Sequence, residues 1–315
     1  MGIAFIFPGQ GSQQVGMGKA LAQAFPAARA VFAEVDDALG QKLSTLMWEG
    51  PESDLTLTEN AQPALMSVSL AVLRVLQQEH GIQLKNHAKF VAGHSLGEYS
   101  ALAAAGTFSI ADTARLLRIR GRAMQAATPV GTGAMAALLG LDYEQAAEVA
   151  AEAAQGEVCE AANDNAPGQV VVSGHKAAVE RALDIAKAKG AKRAVLLPVS
   201  APFHCALMKP AADAMTEALA QVTMHAPAVP LIANVTAGPL TDPAQIRASL
   251  VAQVTGTVRW RECMAAMAAS GVTLFVEIGA GKVLAGLVKR NVEGATGIFI
   301  GTPDDITAAL PQLKI

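Results

Sequence analysis

Short, wholly apolar runs alternate along this chain with longer stretches in which apolar residues recur every three or four positions. That is the pattern of strands buried on both faces and separated by helices. Residues 3–7 form the first run, ended by Pro8-Gly9-Gln10-Gly11. Residues 64–78 are apolar at helical spacing and stop near Gly81. Residues 89–92 predict a second strand and 98–105 a helix directly behind it, while 231–233 and 273–278 predict further buried strands. Alternation of this kind implies an α/β fold with a parallel sheet.

The stretch 133–199 has its own rhythm. Residues 134–139 read as a strand and 143–154 as an Ala/Glu helix. Residues 157–161 and 169–173 read as strands around a turn-rich Asn163-Asp164-Asn165-Ala166-Pro167-Gly168. A helix over 176–189, closed by Gly190, and a strand over 193–199 complete the order β-α-β-β-α-β of a ferredoxin-like unit. The expected organisation is a catalytic body of residues 1–130 and 200–315, with 131–199 inserted as a small domain.

Composition narrows the class. Of 315 residues, 52% are hydrophobic and only 16% charged, which excludes disorder. The net charge of −3, without a block of like charges, gives no footing for nucleic-acid binding. Cys159, Cys205 and Cys263 are odd in number and far apart, so neither a disulfide framework nor a paired metal site is expected. No basic stretch precedes the first strand, and no apolar run approaches the ~18–20 residues of a membrane span. A soluble, cytoplasmic protein without membrane partners is the expectation.

The chemistry concentrates at Gly93-His94-Ser95-Leu96-Gly97, a G-x-S-x-G sequence between a predicted strand and a predicted helix. A strand that turns this sharply into a helix leaves no room for side chains at either flank. The turn lifts the serine hydroxyl to the carboxyl edge of the sheet and aims the first helix amides, Leu96 included, at a developing oxyanion. A tight turn without catalysis is the alternative for the motif alone. A serine nucleophile needs a base, and of six histidines only His204 follows a strand, 193–199, and a short loop, Ser200-Ala201-Pro202-Phe203, that would bring it to the same edge as Ser95. His80, His87, His175 and His225 read as surface positions, and His94 diverges from its neighbour on the turn. No Asp or Glu between Ser95 and His204 falls at a strand end of the body; Asp164 is possible but lies in the insert. A Ser–His dyad with an uncharged acceptor behind the imidazole is preferable to a triad. Cys205 neighbours His204 but lacks an elbow.

In the helix around residues 111–127, Arg115, Arg118 and Arg122 share one arc expected to face solvent, at about 100° per residue. Arg120 falls between Leu116 and Met124 on the apolar face. A guanidinium cannot discharge to escape burial and must be paired. The wheel leaves two readings open: a bidentate site for a substrate carboxylate, or a structural ion pair with a group such as Glu98.

Together these residues resemble the malonyl-CoA:acyl-carrier-protein transacylases of bacterial fatty-acid synthesis and the related acyltransferase domains of polyketide synthases. The similarity spans essentially the whole chain, through Phe7-Pro8-Gly9-Gln10-Gly11-Ser12-Gln13, Gln62-Pro63-Ala64, Gly93 to Glu98, Arg120-Gly121, Asn165 to Gln169, Pro202-Phe203-His204, Gln253 and Glu277 to Lys282. The resemblance implies an α/β-hydrolase-like body with a ferredoxin-like insertion. It implies transfer of malonyl from malonyl-CoA to acyl carrier protein through an ester on Ser95, with His204 as base and then acid, and no cofactor. Gln253 corresponds to the residue whose main-chain carbonyl orients the histidine. The amides of Gln10 and Leu96 would form the oxyanion hole, and Arg120 would grip the malonate carboxylate. Gln62 and Asn165 would line the site, and Phe203 accompanies malonyl rather than branched acyl groups.

Rival readings are a polyketide-type acyltransferase with another extender unit, a serine thioesterase or hydrolase, and a silent acyl-thioester binding module. Phosphate-loop readings fail: Gly281-Lys282 is followed by Val283, with Val276 where a glycine is required, and Gly131-Thr132-Gly133 lacks a third glycine. No metal constellation is evident. A carrier-protein surface would draw on Lys282, Lys289 and Arg290, or on Lys187, Lys189, Lys192 and Arg193.

Overall fold

The structure, a computed structural model, describes residues 2–199 and 201–313. Its strands are β1 (Gly2–Phe7), β2 (Phe90–Gly93), β3 (Gly133–Leu139), β4 (Cys159–Ala166), β5 (Gln169–His175), β6 (Arg193–Leu196), β7 (Leu231–Ile232), β8 (Pro239–Leu240), β9 (Val272–Ile278) and β10 (Thr296–Ile300). They form two sheets. The larger has the order β10-β9-β1-β2-β7-β8 and is parallel except for β8, which returns antiparallel on β7. The smaller, β4-β5-β3-β6, is antiparallel throughout, with helices Tyr143–Ala154 and Lys176–Ala188 in the expected β-α-β-β-α-β order.

Alternation along β1 explains how the larger sheet builds its core. Ile3, Phe5 and Phe7 point to one face, into the cluster around helix Thr58–His80, while Ala4 and Ile6 point to the other, beside Trp260 and Phe275. Phe5 and Phe7 are fully buried, and truncating either to alanine would cost about 3–5 kcal/mol. The helix Thr58–His80 is buried on nearly all sides from Asn60 to Leu76, which is why its sequence shows no clean polar face. It ends on Gly81 in the left-handed conformation, as expected. No helix of the described residues is long and apolar enough to cross a membrane.

Three sequence expectations are corrected. The stretch expected as a turn from Asn163 is strand as far as Ala166, and only Pro167-Gly168 turn. Its polar side chains have partners elsewhere: Asp164 with Arg261 and Asn165 with His94. The last strand of the unit stops at Leu196 rather than 199. Arg118 is buried rather than solvent-facing, its Nη1 donating to Gln41 Oε1 at 2.6 Å, because helix Pro26–Leu39 covers that side of helix Ile110–Ala126. Ser200, expected in the loop before His204, lies outside the described residues.

Candidate active site

Parallel strands deliver their following residues to one edge of the sheet, where open α/β sheets bind ligands. The pairing Phe7↔Gly93 brings the ends of β1 and β2 level, and Ala92↔Ile232 does the same for β2 and β7. Gln10, Ser95 and Asn234 therefore follow neighbouring strand ends. Ser95 sits at the elbow with φ 53°, a left-handed conformation that strains a non-glycine residue. A Cβ on Gly97 would press into the main-chain oxygens of Phe7 and, at 2.8 Å, Pro8, and one on Gly93 would collide with the Gly97 carbonyl. Helix Gly97–Ala104 can start where it does only because both flanks are glycine.

Ser95 Oγ lies 2.8 Å from His204 Nε2, and His204 Nδ1 lies 2.8 Å from the main-chain oxygen of Gln253. With the proton on Nδ1 donated to that carbonyl, Nε2 is left to accept from the serine hydroxyl. His204 is buried, and burial with the nearby Arg120 charge lowers it to about 3, so the imidazole is neutral at ordinary pH. Among the described residues the ring's Nδ1 meets a main-chain oxygen and not a carboxylate. Asp164, the acid considered from sequence, is instead engaged at 2.9 Å by Arg261. Cys205 is fully buried, its thiol pushed up to about 11 by burial and donating to Pro202 O. A neutral thiol so placed is a poor nucleophile.

Arg120 is fully buried and forms no ion pair with a carboxylate among the described residues. Its Nη1 donates to Gln62 Oε1 at 3.0 Å, and its Nη2 to Gln253 Oε1 at 2.8 Å and to Ser95 Oγ at 3.1 Å. The guanidinium also lies 5.6 Å from the centre of the Tyr99 ring. Its position is fixed by a close helix crossing. A Cβ on Gly121 would come within 2.6 Å of Thr58 O, so only glycine lets helix Ile110–Ala126 approach the start of helix Thr58–His80 this nearly. That approach brings Arg120 to Gln62.

These groups open on a cavity of about 880 Å³, walled by Gln10, Gln62, Ser95, Arg120, Met124, Phe203 and His204 on the side of the larger sheet. Met135, Asn163, Leu197 and Val199, from in and around the smaller sheet, wall the other. Of the four residues expected to line the substrate, Gln62, Arg120, Asn165 and Phe203, Asn165 is the exception: its Oδ1 meets His94 Nε2 at 2.8 Å, and Asn163 takes the position in the cavity wall. A regular strand would put residues 163 and 165 on the same face; the register of β4 against β5 shifts between Asp164 and Ala166, and that irregularity turns Asn165 away from Asn163. Leu96 is 1% exposed, its side chain in the core and its amide at the head of helix Gly97–Ala104. Among the described residues no group of three or more His, Cys, Asp or Glu could hold a metal ion.

Sequence reasoning missed Asn234. Its Oδ1 accepts the Ser95 N–H at 2.8 Å and its Nδ2 donates to Gly93 O at 2.7 Å, so one amide spans the elbow. The signal was present: Asn234 is the first polar residue after a buried run at the carboxyl end of a strand. Glu98, considered only as an ion-pair partner of Arg120, is fully buried and contacts Gln253 instead, at 2.8 Å. The two basic clusters are partly consumed: Lys187 and Lys189 pair with Asp184 and Glu152, and Lys282 lies over the Phe299 ring.

Residues 4–302 match the acyl transferase domain family. The chain is 49% identical over 307 residues to the malonyl CoA-acyl carrier protein transacylase of Escherichia coli K12, covering 98% of each protein. It is 48% identical to that of Bacillus subtilis 168, covering 99% of this chain and 97% of the relative. Among solved structures, the acyl-carrier-protein S-malonyltransferase of Bartonella henselae superposes with a TM-score of 0.97 at 59% identity over the whole of both chains. A malonyl-transacylase solved in complex with its type II polyketide acyl-carrier protein superposes with a TM-score of 0.95 at 44% identity, covering 99% of this chain and 100% of that one.

Proposed function

From the premise that the chain belongs to the acyl transferase domain family, we infer that it is a malonyl-CoA:acyl-carrier-protein S-malonyltransferase of fatty-acid synthesis. Its substrates are malonyl-CoA and acyl carrier protein. The observation that carries the malonyl assignment is Arg120: a fully buried guanidinium that meets only neutral partners beside the nucleophile, and so is matched to an acyl group bearing its own carboxylate.

In the mechanism we propose, Ser95 Oγ attacks the thioester carbonyl as His204 Nε2 takes its proton, and the Gln253 carbonyl holds the imidazole through Nδ1–H. The 2.8 Å contacts on both sides of the ring support this assignment. The N–H groups of Gln10 and Leu96 receive the oxyanion. The Ser95 N–H is already engaged by Asn234, which favours those two as donors. The tetrahedral intermediate expels coenzyme A thiolate, which takes the proton back from His204. The phosphopantetheine thiol of the carrier protein then attacks the malonyl-serine ester, again with its proton passing to His204 and on to the departing Ser95. Gln62 fixes the guanidinium, Phe203 bounds the acyl group beside the base, and Asn165 acts at one remove by holding His94.

We further propose the division expected from sequence, residues 1–130 and 200–315 as catalytic body and 131–199 as an inserted ferredoxin-like domain. The separate antiparallel sheet and its own apolar cluster support it. A cytoplasmic location fits three buried free cysteines. Intact-protein mass spectrometry after brief exposure to malonyl-CoA tests the reaction. A malonyl adduct on Ser95 that acyl carrier protein discharges, becoming malonylated itself, is expected. An adduct lost to water at the same rate without carrier would make the protein a hydrolase.

A further inference from the structure

Glu98 stands outside the groups that touch substrate in this mechanism, yet it is fully buried one turn behind the nucleophile. A buried carboxyl is costly unless its hydrogen bonds do something with it. Its Oε2 accepts from Gln253 Nε2 at 2.8 Å and from the Asn234 main-chain N–H at 3.2 Å, whereas its Oε1 has no partner among the described residues. Gln253 is used at both ends: the main-chain oxygen faces His204 Nδ1 and the side-chain oxygen faces Arg120. A glutamine amide is nearly symmetric in shape, and only its neighbours decide which end carries the oxygen. Here Arg120 can only donate, while Glu98 Oε2, the Ser95 carbonyl at 2.9 Å and Asn234 Oδ1 at 3.2 Å take the nitrogen end.

We propose that Glu98 is a positioning residue, its carboxyl oxygen fixing the Gln253 amide so that one side chain holds Arg120 in place while its own backbone holds His204. Reach, not charge, is what the geometry requires. Burial raises the Glu98 carboxyl to about 7, and Oε2 accepts the same two N–H groups whether the acid is ionised or carries its proton on Oε1. The Gln253 amide also stands between Glu98 and Arg120, so the arginine is not consumed by an internal ion pair and remains available to a carboxylate.

The inference rests on Ser95 being the residue that malonyl loads, and a matched pair of variants separates the two. Single-turnover loading of Ser95 is measured by intact mass with malonyl-CoA and with acetyl-CoA, and the ratio of the two rates is read, since it does not depend on the fraction of protein folded. Glu98→Gln keeps the reach and removes the charge; its ratio should stay within about threefold of wild type. Glu98→Asp keeps the acid and withdraws it by a methylene; its ratio should fall at least tenfold as Arg120 loses its anchor. If Glu98→Asp is recovered only as aggregate, Glu98→Met serves as the second variant with the same expectation. Wild type that fails to load malonyl at Ser95 would overturn the underlying reading. Wild type that loads normally, with an unchanged ratio in the shortened variant or an equal fall in Glu98→Gln, would overturn the role of Glu98 alone.

Discussion

Arg120→Ala offers the sharpest test of how the acyl group is selected. In the wild type a malonyl carboxylate would be desolvated in a site where the guanidinium is 1% exposed, so the pair it forms is a buried one. Removing one partner of a buried ion pair costs about 3–5 kcal/mol, because the other is left without compensation. At about 1.4 kcal/mol per factor of ten, malonyl loading should fall roughly 200- to 5,000-fold in kcat/KM. An acetyl group has no carboxylate to strand. Its loading should lose only what the 3.1 Å bond from Arg120 Nη2 to Ser95 Oγ contributes, about 1 kcal/mol or roughly fivefold. The malonyl-to-acetyl ratio should therefore drop roughly 40- to 1,000-fold. The assay is rapid-quench loading followed by intact mass, with each acyl-CoA below saturation. Loss of fold cannot imitate the result, since unfolded protein lowers both rates together. Equal losses for the two substrates would refute the carboxylate clamp and leave Arg120 a support for the serine.

Two further outcomes concern stability. Gly97→Ala drives a methyl into backbone oxygens of Phe7 and Pro8 and should cost about 2–4 kcal/mol in urea unfolding, with loss of Ser95 loading; Gly286→Ala, in helix Val283–Asn291 with nothing near its Cβ, should gain about 0.5–1 kcal/mol. Equal effects at the two sites would refute the steric account of the elbow. Burial raises Glu277 to about 7 while its Oε2 receives the Ala285 N–H, so its contribution is fully present below about pH 4.5 and is lost as pH rises through 7. Comparison of wild type with Glu277→Gln at pH 5 and 8 cancels the opposite contribution of His94 and His204, both lowered by desolvation. The wild type should lose about 1–3 kcal/mol more between the two pH values than the variant, and parallel curves would refute it.

Much of the site was legible because its constraints are local. The glycines around Ser95 answer to a turn that a pentapeptide spans, and Arg120 stands out by its phase on one helix. The parts that were not legible depend on which strands lie side by side. Asn234 meets Ser95 across 139 positions and Glu98 meets Gln253 across 155, so no window along the chain contains either pair. Arg118 was misplaced because a helical wheel assumes one covered face, whereas helix Ile110–Ala126 is packed by helices Pro26–Leu39, Thr58–His80 and Lys209–Ala220. The run Asn163-Asp164-Asn165 has turn composition, but a main-chain bridge at Val258 and side-chain partners for Asp164 and Asn165, Arg261 and His94, hold it as a strand.

The cavity has one wall from each sheet, and the nucleophile, its base and the arginine all stand on the same one. Met135, Asn163, Leu197 and Val199 face them without sharing their hydrogen bonds. The two walls can therefore mutate at different tempos. Substitutions on the far wall reshape the room for an acyl chain while the reacting groups keep their alignment, so new substrates can be explored from an enzyme that never stops turning over. Selection of the acyl carboxylate stays with Arg120 on the wall that reacts, and only the space around the rest of the acyl group is left to the other.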